Sequence, residues 1–139
     1  MADGQALIVG LKHRCSLVVD ERMTPPALSV AFASFVDLPP VLATAYLVAL
    51  VEWTSVEAIR PHLDDGLRTV GTLVDLTHLA ATPVGMKVTA EVELIAIAGR
   101  KLRFRAVCRD ERDVISEGFH ERAIIEPTRF LAKIAAKLG

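Results

Sequence analysis

Residues 41–60 form a nearly unbroken apolar segment and predict one long helix that ends before Pro61. Apolar side chains would cover most of the circumference of this helix: Leu42, Ala45, Tyr46, Ala49, Leu50, Trp53 and Val56. A helix that is apolar nearly all round must be surrounded by other structure. The longest apolar run of this helix covers residues 41–51. It is shorter than the ~20 residues that span a membrane. The first residues of the sequence show no signal-peptide pattern. We therefore expect a buried helix in a soluble, cytoplasmic protein.

The rest of the sequence predicts strands. A β-prone run at residues 15–19 precedes the helix, and alternating side chains follow it over residues 69–80, 86–98, 101–106 and 114–125. The charged faces of the two strands joined at Gly99 and Arg100 match only if this hairpin contains a bulge or an odd loop. Pro127 opens a C-terminal helix. This order predicts an α+β fold in which a curved antiparallel sheet wraps around one long apolar helix.

Composition narrows the class of protein. The chain has 139 residues, 52% of them hydrophobic, and its 16 Lys and Arg against 17 Asp and Glu give a net charge of −1. This length fits one domain over residues 1–139. The near-neutral charge argues against a dedicated nucleic-acid binder, and the high hydrophobicity predicts that a second copy covers some apolar surface. Cys15 and Cys108 are expected to be reduced thiols, and the spacing of cysteines and histidines predicts no metal site.

Three polar residues stand in apolar surroundings. Glu52 lies deep in the predicted helix, Thr44 interrupts its first turns, and His78 is near the end of a predicted strand. Thr44 and Glu52 would be two turns and about 80° apart on the helix, so both can flank one groove. A carboxylate, a hydroxyl and an imidazole around an apolar groove can supply a nucleophile or base, a carbonyl-orienting donor and a proton shuttle.

Each of these residues also has an ordinary structural interpretation. Thr44 can bond back to its own helix backbone. Glu52 can point into solvent or pair with a base such as Arg60, and His78 can be a satisfied strand histidine. The residue pattern alone leaves these alternatives open.

The sequence around these residues resembles a known family. Ala-Thr at 43–44, Val-Glu-Trp at 51–53, Val-Gly-Thr at 70–72, Thr-His-Leu-Ala-Ala-Thr-Pro-Val-Gly at 77–85 and His-Glu-Arg-Ala-Ile-Ile at 120–125 are similar to the fluoroacetyl-CoA thioesterase family of hotdog-fold proteins. The similarity covers residues 38–125 and keeps register between the motifs. It implies a hotdog fold and hydrolysis of a short-chain acyl-CoA, with Thr44, Glu52 and His78 as the catalytic set.

The resemblance also implies substrate-binding residues. Gly71 would place backbone close to the thioester, and Arg122 would either steady the carboxylate or meet the pantetheine arm. The segment between the proline pairs at 25–26 and 39–40 is interpreted as a flap and is called the lid segment. Phe35 is kept in it, whereas Leu38 stands where the family's fluoroacyl-selective enzyme carries an aromatic gate. The substrate is therefore expected to be fluoroacetyl-CoA or another small acyl thioester. The family implies no cofactor beyond CoA as part of the substrate, and a homodimer or tetramer with CoA along the subunit interface.

Two other functions fit the same resemblance. A hotdog enoyl-CoA hydratase or dehydratase would use an Asp–His pair, but Asp75 and His78 would lie on opposite faces of a strand. A non-catalytic acyl-CoA binding protein could use the same groove without turnover. Candidate partners for the CoA phosphates are Lys101, Arg103 and Arg105, although the pattern of these residues favours a solvated strand face.

Overall fold

The computed structural model describes residues 6–139 and contains one five-stranded antiparallel sheet and two α-helices within that range. The elements in chain order are β1 (Lys12–Val18), α1 (Thr44–Ile59), β2 (Arg68–Leu76), β3 (Lys87–Ala98), β4 (Lys101–Arg109), β5 (Val114–Ile125) and α2 (Pro127–Ala135). The strand order is β1-β3-β4-β5-β2, so that β1 and β2 are the edges of an open sheet. This is the predicted α+β arrangement of an antiparallel sheet packed on one long helix.

The core lies between the inner face of the sheet and one side of α1, which packs against β1, β2, β3 and β4. Alternate residues of β3 and β4 are fully buried, among them Val92, Leu94 and Phe104. From α1, the buried apolar side chains are Leu47, Leu50, Val51, Ala58 and Ile59. Each fully buried large apolar side chain contributes about 1.5–3 kcal/mol to stability. The core therefore fixes α1 against the sheet along its whole length.

Several predicted boundaries shift, and two of these shifts affect the candidate site residues. The helix begins at Thr44 rather than at residue 41, because Val41 forms a β-bridge with Pro83 and the Leu42 amide donates to the Thr82 carbonyl at 2.9 Å. Strand β2 ends at Leu76, so His78 lies in the segment that follows it rather than in the strand.

The segment after β2 nevertheless stays beside β5. The Thr77 amide donates to the Glu117 carbonyl at 3.0 Å, and the Leu79 amide donates to the Ile115 carbonyl at 2.7 Å. His78 is therefore held from both sides, at the end of the sheet where α1 begins.

Register shifts occur at two places that matter for the inner face. The predicted irregularity of the β3–β4 hairpin is confirmed as a shift between Leu94 and Ala96. A second shift, which the sequence did not predict, lies between Gly71 and Leu73 of β2, where Thr72 is the extra residue against β5.

The expectation that α1 is surrounded on all sides is wrong for the single chain. Ala45, Ala49 and Trp53 are exposed, at helical spacing of four residues, and Trp53 is 46% exposed. Trp53 is therefore not a core residue of the single chain, and packing of its side chain at an interface with a second copy stays a prediction. Strand β2 beside it also exposes Leu73 and Val74. No helix among residues 6–139 is long and apolar enough to cross a membrane.

The outer face of the sheet is charged. Arg103 lies 2.5 Å from Glu121 and over the Phe119 ring, Arg105 lies 3.6 Å from Glu93, and Lys101 lies 4.0 Å from Glu121. Carboxylates partner all three basic side chains, which favours the solvated strand face over phosphate binding, and contact with the CoA phosphates stays a prediction. Cys15 and Cys108 are both free thiols, Cys15 being half-buried and Cys108 buried.

Candidate active site

Thr44 and His78 meet at the N-terminus of α1. The Thr44 hydroxyl Oγ1 lies 2.8 Å from His78 Nδ1, a hydrogen bond that joins two residues 34 positions apart in sequence. Thr44 is the first residue of the helix, where backbone amides have no partners inside the helix. The hydroxyl and these amides can together stabilise negative charge on an oxygen placed at the helix end.

The His78 ring is poised as a neutral base. Burial lowers the pKa of its imidazole below the ordinary value of 6.5. Its second nitrogen, Nε2, is buried and has no hydrogen-bond partner within the part of the chain that the structure describes. A buried, unpaired ring nitrogen is costly, and it marks a position where a bound molecule can supply the missing partner.

Glu52 is held by a buried arginine. Arg122 Nη1 donates to Glu52 Oε2 at 2.8 Å; the arginine side chain is 7% exposed and the glutamate side chain 42% exposed. The same guanidinium donates through Nε to Thr69 Oγ1 at 2.9 Å and through Nη2 to the Thr69 carbonyl at 3.1 Å. Arg122 therefore points inward from β5 and holds the carboxylate through a hydrogen bond, whereas its contact with the substrate stays a prediction.

Gly71 lies against the Glu52 carboxylate. A Cβ atom at this position would be 2.7 Å from Glu52 Oε2 and 3.3 Å from Arg122 Nη1, so the carboxylate would have to shift. The backbone of Gly71 is not in the left-handed region, so any advantage of glycine here comes from space and not from conformation. In the single chain, Gly71 makes room for the Glu52 carboxylate.

His120 also belongs to this cluster, and sequence reasoning missed it. The residue is 1% exposed, with Nδ1 2.7 Å from the Leu73 carbonyl and Nε2 3.2 Å from Arg122 Nη1. Two-residue spacing on a strand puts His120 and Arg122 on the same face, and that spacing was the signal available in the sequence.

The lid segment lies between β1 and α1. It consists of short 3-10 helices, Pro25–Leu28 and Ala33–Asp37, the first opened by the proline pair. The rings of Phe32 and Phe35 are 5.3 Å apart between centroids, and Phe35 is half-buried. Leu38 is 41% exposed and ends the second short helix.

The structure forms two clusters rather than one triad. Thr44 bonds His78, whereas Glu52 bonds Arg122 eight residues further along α1. Eight residues of helix span about 12 Å, whereas a group must come within roughly 3–3.5 Å of a carbonyl to act on it. The hollow beside His78, bounded by residues 78–81, measures about 210 Å³, below the roughly 300–1,000 Å³ of usual ligand sites.

The hydratase alternative finds little support in the contacts of His78. His78 Nδ1 is bonded to Thr44, and no hydrogen bond joins His78 to Asp75 among the described residues 6–139, as a hydratase pair would need. The same residues contain no group of three or more His, Cys, Asp or Glu side chains that could hold a metal ion.

Comparison with known proteins gives one consistent family. The sequence profile described as fluoroacetyl-CoA-specific thioesterase matches residues 19–128. The chain is 39% identical to a fluoroacetyl-CoA thioesterase of Streptantibioticus cattleyicolor, over 99% of this chain and 97% of that protein.

Solved structures agree. A crystal structure of the fluoroacetyl-CoA thioesterase FlK superposes with a TM-score of 0.92 and 38% identity, covering 96% of this chain and 98% of that one. A thioesterase superfamily member from Thermus thermophilus superposes with a TM-score of 0.83 and 26% identity, over 93% and 91% of the two chains. The hotdog fold expected from the resemblance is confirmed.

Proposed function

This chain belongs to the fluoroacetyl-CoA-specific thioesterase family, and from that premise we propose that it hydrolyses a short-chain acyl-CoA to the free acid and CoA. The observation that carries the proposal is the pair of clusters just described. A hydroxyl bonded to a neutral imidazole lies at a helix N-terminus, and a carboxylate is held by a buried arginine. These are the groups that acyl transfer needs.

Thr44 and His78 are proposed to act on the thioester oxygen and sulfur. The Thr44 hydroxyl and the first amides of α1 stabilise the oxyanion as the carbonyl carbon becomes tetrahedral. The C–S bond then breaks, and His78, which takes up a proton from water, passes it to the CoA thiolate. The lowered pKa of the His78 imidazole suits it to a neutral resting state that can accept and pass on a proton.

Glu52 is proposed to begin the reaction in one of two ways. Its carboxylate attacks the carbonyl carbon and forms a mixed anhydride, which water then hydrolyses to the acid with return of the carboxylate. Alternatively it removes a proton from water, and the hydroxide attacks the same carbon. In both routes Arg122 holds Oε2, and Oε1 is left without a hydrogen bond among the described residues.

A homodimer is proposed to complete the site. About 12 Å of helix separates the two clusters within one chain, so antiparallel pairing of two α1 helices would bring Glu52 of one copy toward the Thr44–His78 pair of the other. Ala45, Ala49 and Trp53 supply an exposed stripe of partly small side chains for such pairing. CoA would then lie along the interface, where the small hollow beside His78 gains a second wall.

The acyl group is proposed to be small, and fluoroacetyl-CoA is one candidate. The rings of Phe32 and Phe35 pack against each other at a tilt of 33° in the lid segment, while Leu38 is smaller and more flexible than the aromatic gate of the fluoroacyl-selective enzyme. We propose that thioester hydrolysis does not depend on that aromatic ring, whereas discrimination of a fluorine atom does. We expect Leu38 to weaken fluoro-selectivity without preventing hydrolysis.

The deciding experiment is release of free thiol from acetyl-, fluoroacetyl-, propionyl- and longer acyl-CoA esters. Wild-type protein should release CoA, and Glu52→Gln should reduce turnover by at least about a hundredfold, as expected for loss of a general base or nucleophile. Glu57→Gln is the matched control, because it changes a carboxylate on the same helix outside both clusters. Tight CoA-ester binding without thiol release would favour a binding protein, and full activity of Glu52→Gln would refute the role of Glu52.

A further inference from the structure

His120 is a buried polar residue that the proposed reaction does not use. It lies on the inner face of β5, is 1% exposed, and its ring packs near Phe104 with centroids 6.5 Å apart. An imidazole in such surroundings is expensive to bury unless both nitrogens are satisfied. Here both ring nitrogens have a hydrogen-bond partner, one of which accepts and the other of which donates.

These partners determine where the ring proton lies. The Leu73 carbonyl can only accept, so Nδ1 at 2.7 Å must donate to it. Arg122 Nη1 can only donate, so Nε2 at 3.2 Å must accept from it. His120 is therefore a neutral imidazole with its proton on Nδ1, and a second ring proton would point directly at the arginine.

The same arginine nitrogen serves Glu52. One Nη1 proton goes to Glu52 Oε2 and the other to His120 Nε2, while Nε and Nη2 are fixed on Thr69. Four of the five guanidinium protons thus have partners within the protein. The planar guanidinium cannot rotate toward another acceptor without breaking several of these bonds.

We propose that His120 is a positioning residue for thioester hydrolysis: its Nε2 lone pair sets the direction of Arg122, which in turn holds Glu52 with Oε1 left available for reaction. The proposal rests on the proposed function, since it gives Glu52 the reacting carboxylate. Thr69 fixes one side of the guanidinium and His120 the other. The extra residue of β2, Thr72, lies next to the Leu73 carbonyl that orients the His120 ring.

Two substitutions separate the acceptor from the volume of the side chain. His120→Leu replaces the ring by an apolar side chain of similar size and so removes the hydrogen-bond acceptor. His120→Gln can place an amide oxygen near the position of Nε2 and an amide donor toward the Leu73 carbonyl. We expect His120→Leu to lower kcat about ten- to a hundredfold with KM within about threefold. His120→Gln should recover to within about fivefold of wild type.

A stability control is needed because His120 is buried. Val92→Ala removes buried volume on β3, away from both clusters, and should lower the melting temperature while leaving kcat unchanged. If His120→Leu lowers kcat no more than Val92→Ala does, or if His120→Gln is as inactive as His120→Leu, the positioning role is overturned.

A spectroscopic measurement tests the proton position without turnover. Two-bond ¹H–¹⁵N correlation spectra of the wild-type protein should show His120 neutral, with Nδ1 protonated and Nε2 bare. Protonated Nε2 would overturn the proposal even if the enzyme is active. Wild-type protein that releases no thiol would refute the proposed function, and the positioning role with it, whatever the tautomer.

Discussion

Gly71→Ala is the sharpest test of how tightly the Glu52 cluster is packed. The new methyl group would lie 2.7 Å from Glu52 Oε2. To reach about 3.3 Å, still a close contact, the oxygen must retreat by about 0.6 Å. If it moves away from Arg122, the hydrogen bond of 2.8 Å lengthens to roughly 3.4 Å, beyond useful range.

The cost in activity follows from that lost bond. A hydrogen bond to a charged group is worth about 1.5–3 kcal/mol. Because the Glu52 side chain is 42% exposed, water replaces part of the interaction, and we take about 1.5–2 kcal/mol. If that energy is lost in the transition state, kcat falls roughly ten- to thirtyfold.

Stability should respond much less than activity. The backbone of Gly71 suits alanine, and restricting the unfolded chain returns about 0.4–1 kcal/mol, which offsets much of the clash. We expect a melting temperature within about 4 °C of wild type. Thiol release and thermal unfolding measured on the same sample check both quantities.

Gly99→Ala is the matched control for the alanine substitution. Gly99 lies in the β3–β4 hairpin with φ +61° and open space around its Cβ position, so alanine costs backbone strain of about 1–2 kcal/mol. It should lower the melting temperature and leave kcat unchanged. A Gly71→Ala protein with kcat within twofold of wild type would refute the reasoning about Glu52.

Two further predictions concern pH and assembly. As the pH is lowered from 7 to 5, the free energy of unfolding should fall. Burial holds the pKa of His78 and His120 below 6.5 in the folded chain, so these histidines take up protons more readily in the unfolded chain. A free energy of unfolding in urea that does not change with pH would contradict this. Ala49→Arg places a charge in the exposed stripe of α1 and should halve the molecular mass measured by analytical ultracentrifugation. Ala132→Arg on α2 is the control and should leave that mass unchanged. An unchanged mass for Ala49→Arg would refute dimerisation through α1.

The strands were predictable because their signal is local. Alternation from Val88 to Leu94 and from Leu102 to Ala106 matches the buried face residue by residue. The start of α1 was not predictable, since Val41 and Leu42 have helical neighbours but are drawn to the loop at Thr82 and Pro83. A tertiary contact there overrides local helix propensity.

The residues of the candidate site were predictable from the sequence, but which of them contact one another was less so. Thr44 and His78 meet across 34 positions, and Arg122 reaches Glu52 across 70. No spacing rule within one chain predicts such pairs. The resemblance supplied the residues, whereas the sheet order, which puts β5 beside β2, brings Arg122 to Thr69 and Gly71.

The apolar circumference of α1 illustrates a different limit. The sequence pattern indicated a helix covered on most sides, but one chain covers only part of it and leaves Ala49 and Trp53 exposed. A sequence pattern does not distinguish burial within one chain from burial against the second copy that we propose. The apolar sequence of α1 and the exposure of these side chains in one chain agree if a second copy covers them.

The bulge in β2 also limits how such a protein can change over generations. Point substitutions can alter side chains near Glu52, but only insertion or deletion of a residue beside Thr72 would change which carbonyl meets His120. Whole-residue changes in a strand shift every later side chain to the opposite face and are rarely tolerated. Because we propose that Phe35 and Leu38 in the lid segment meet the acyl group, variation in acyl preference is expected to accumulate there, while the support of the carboxylate stays fixed.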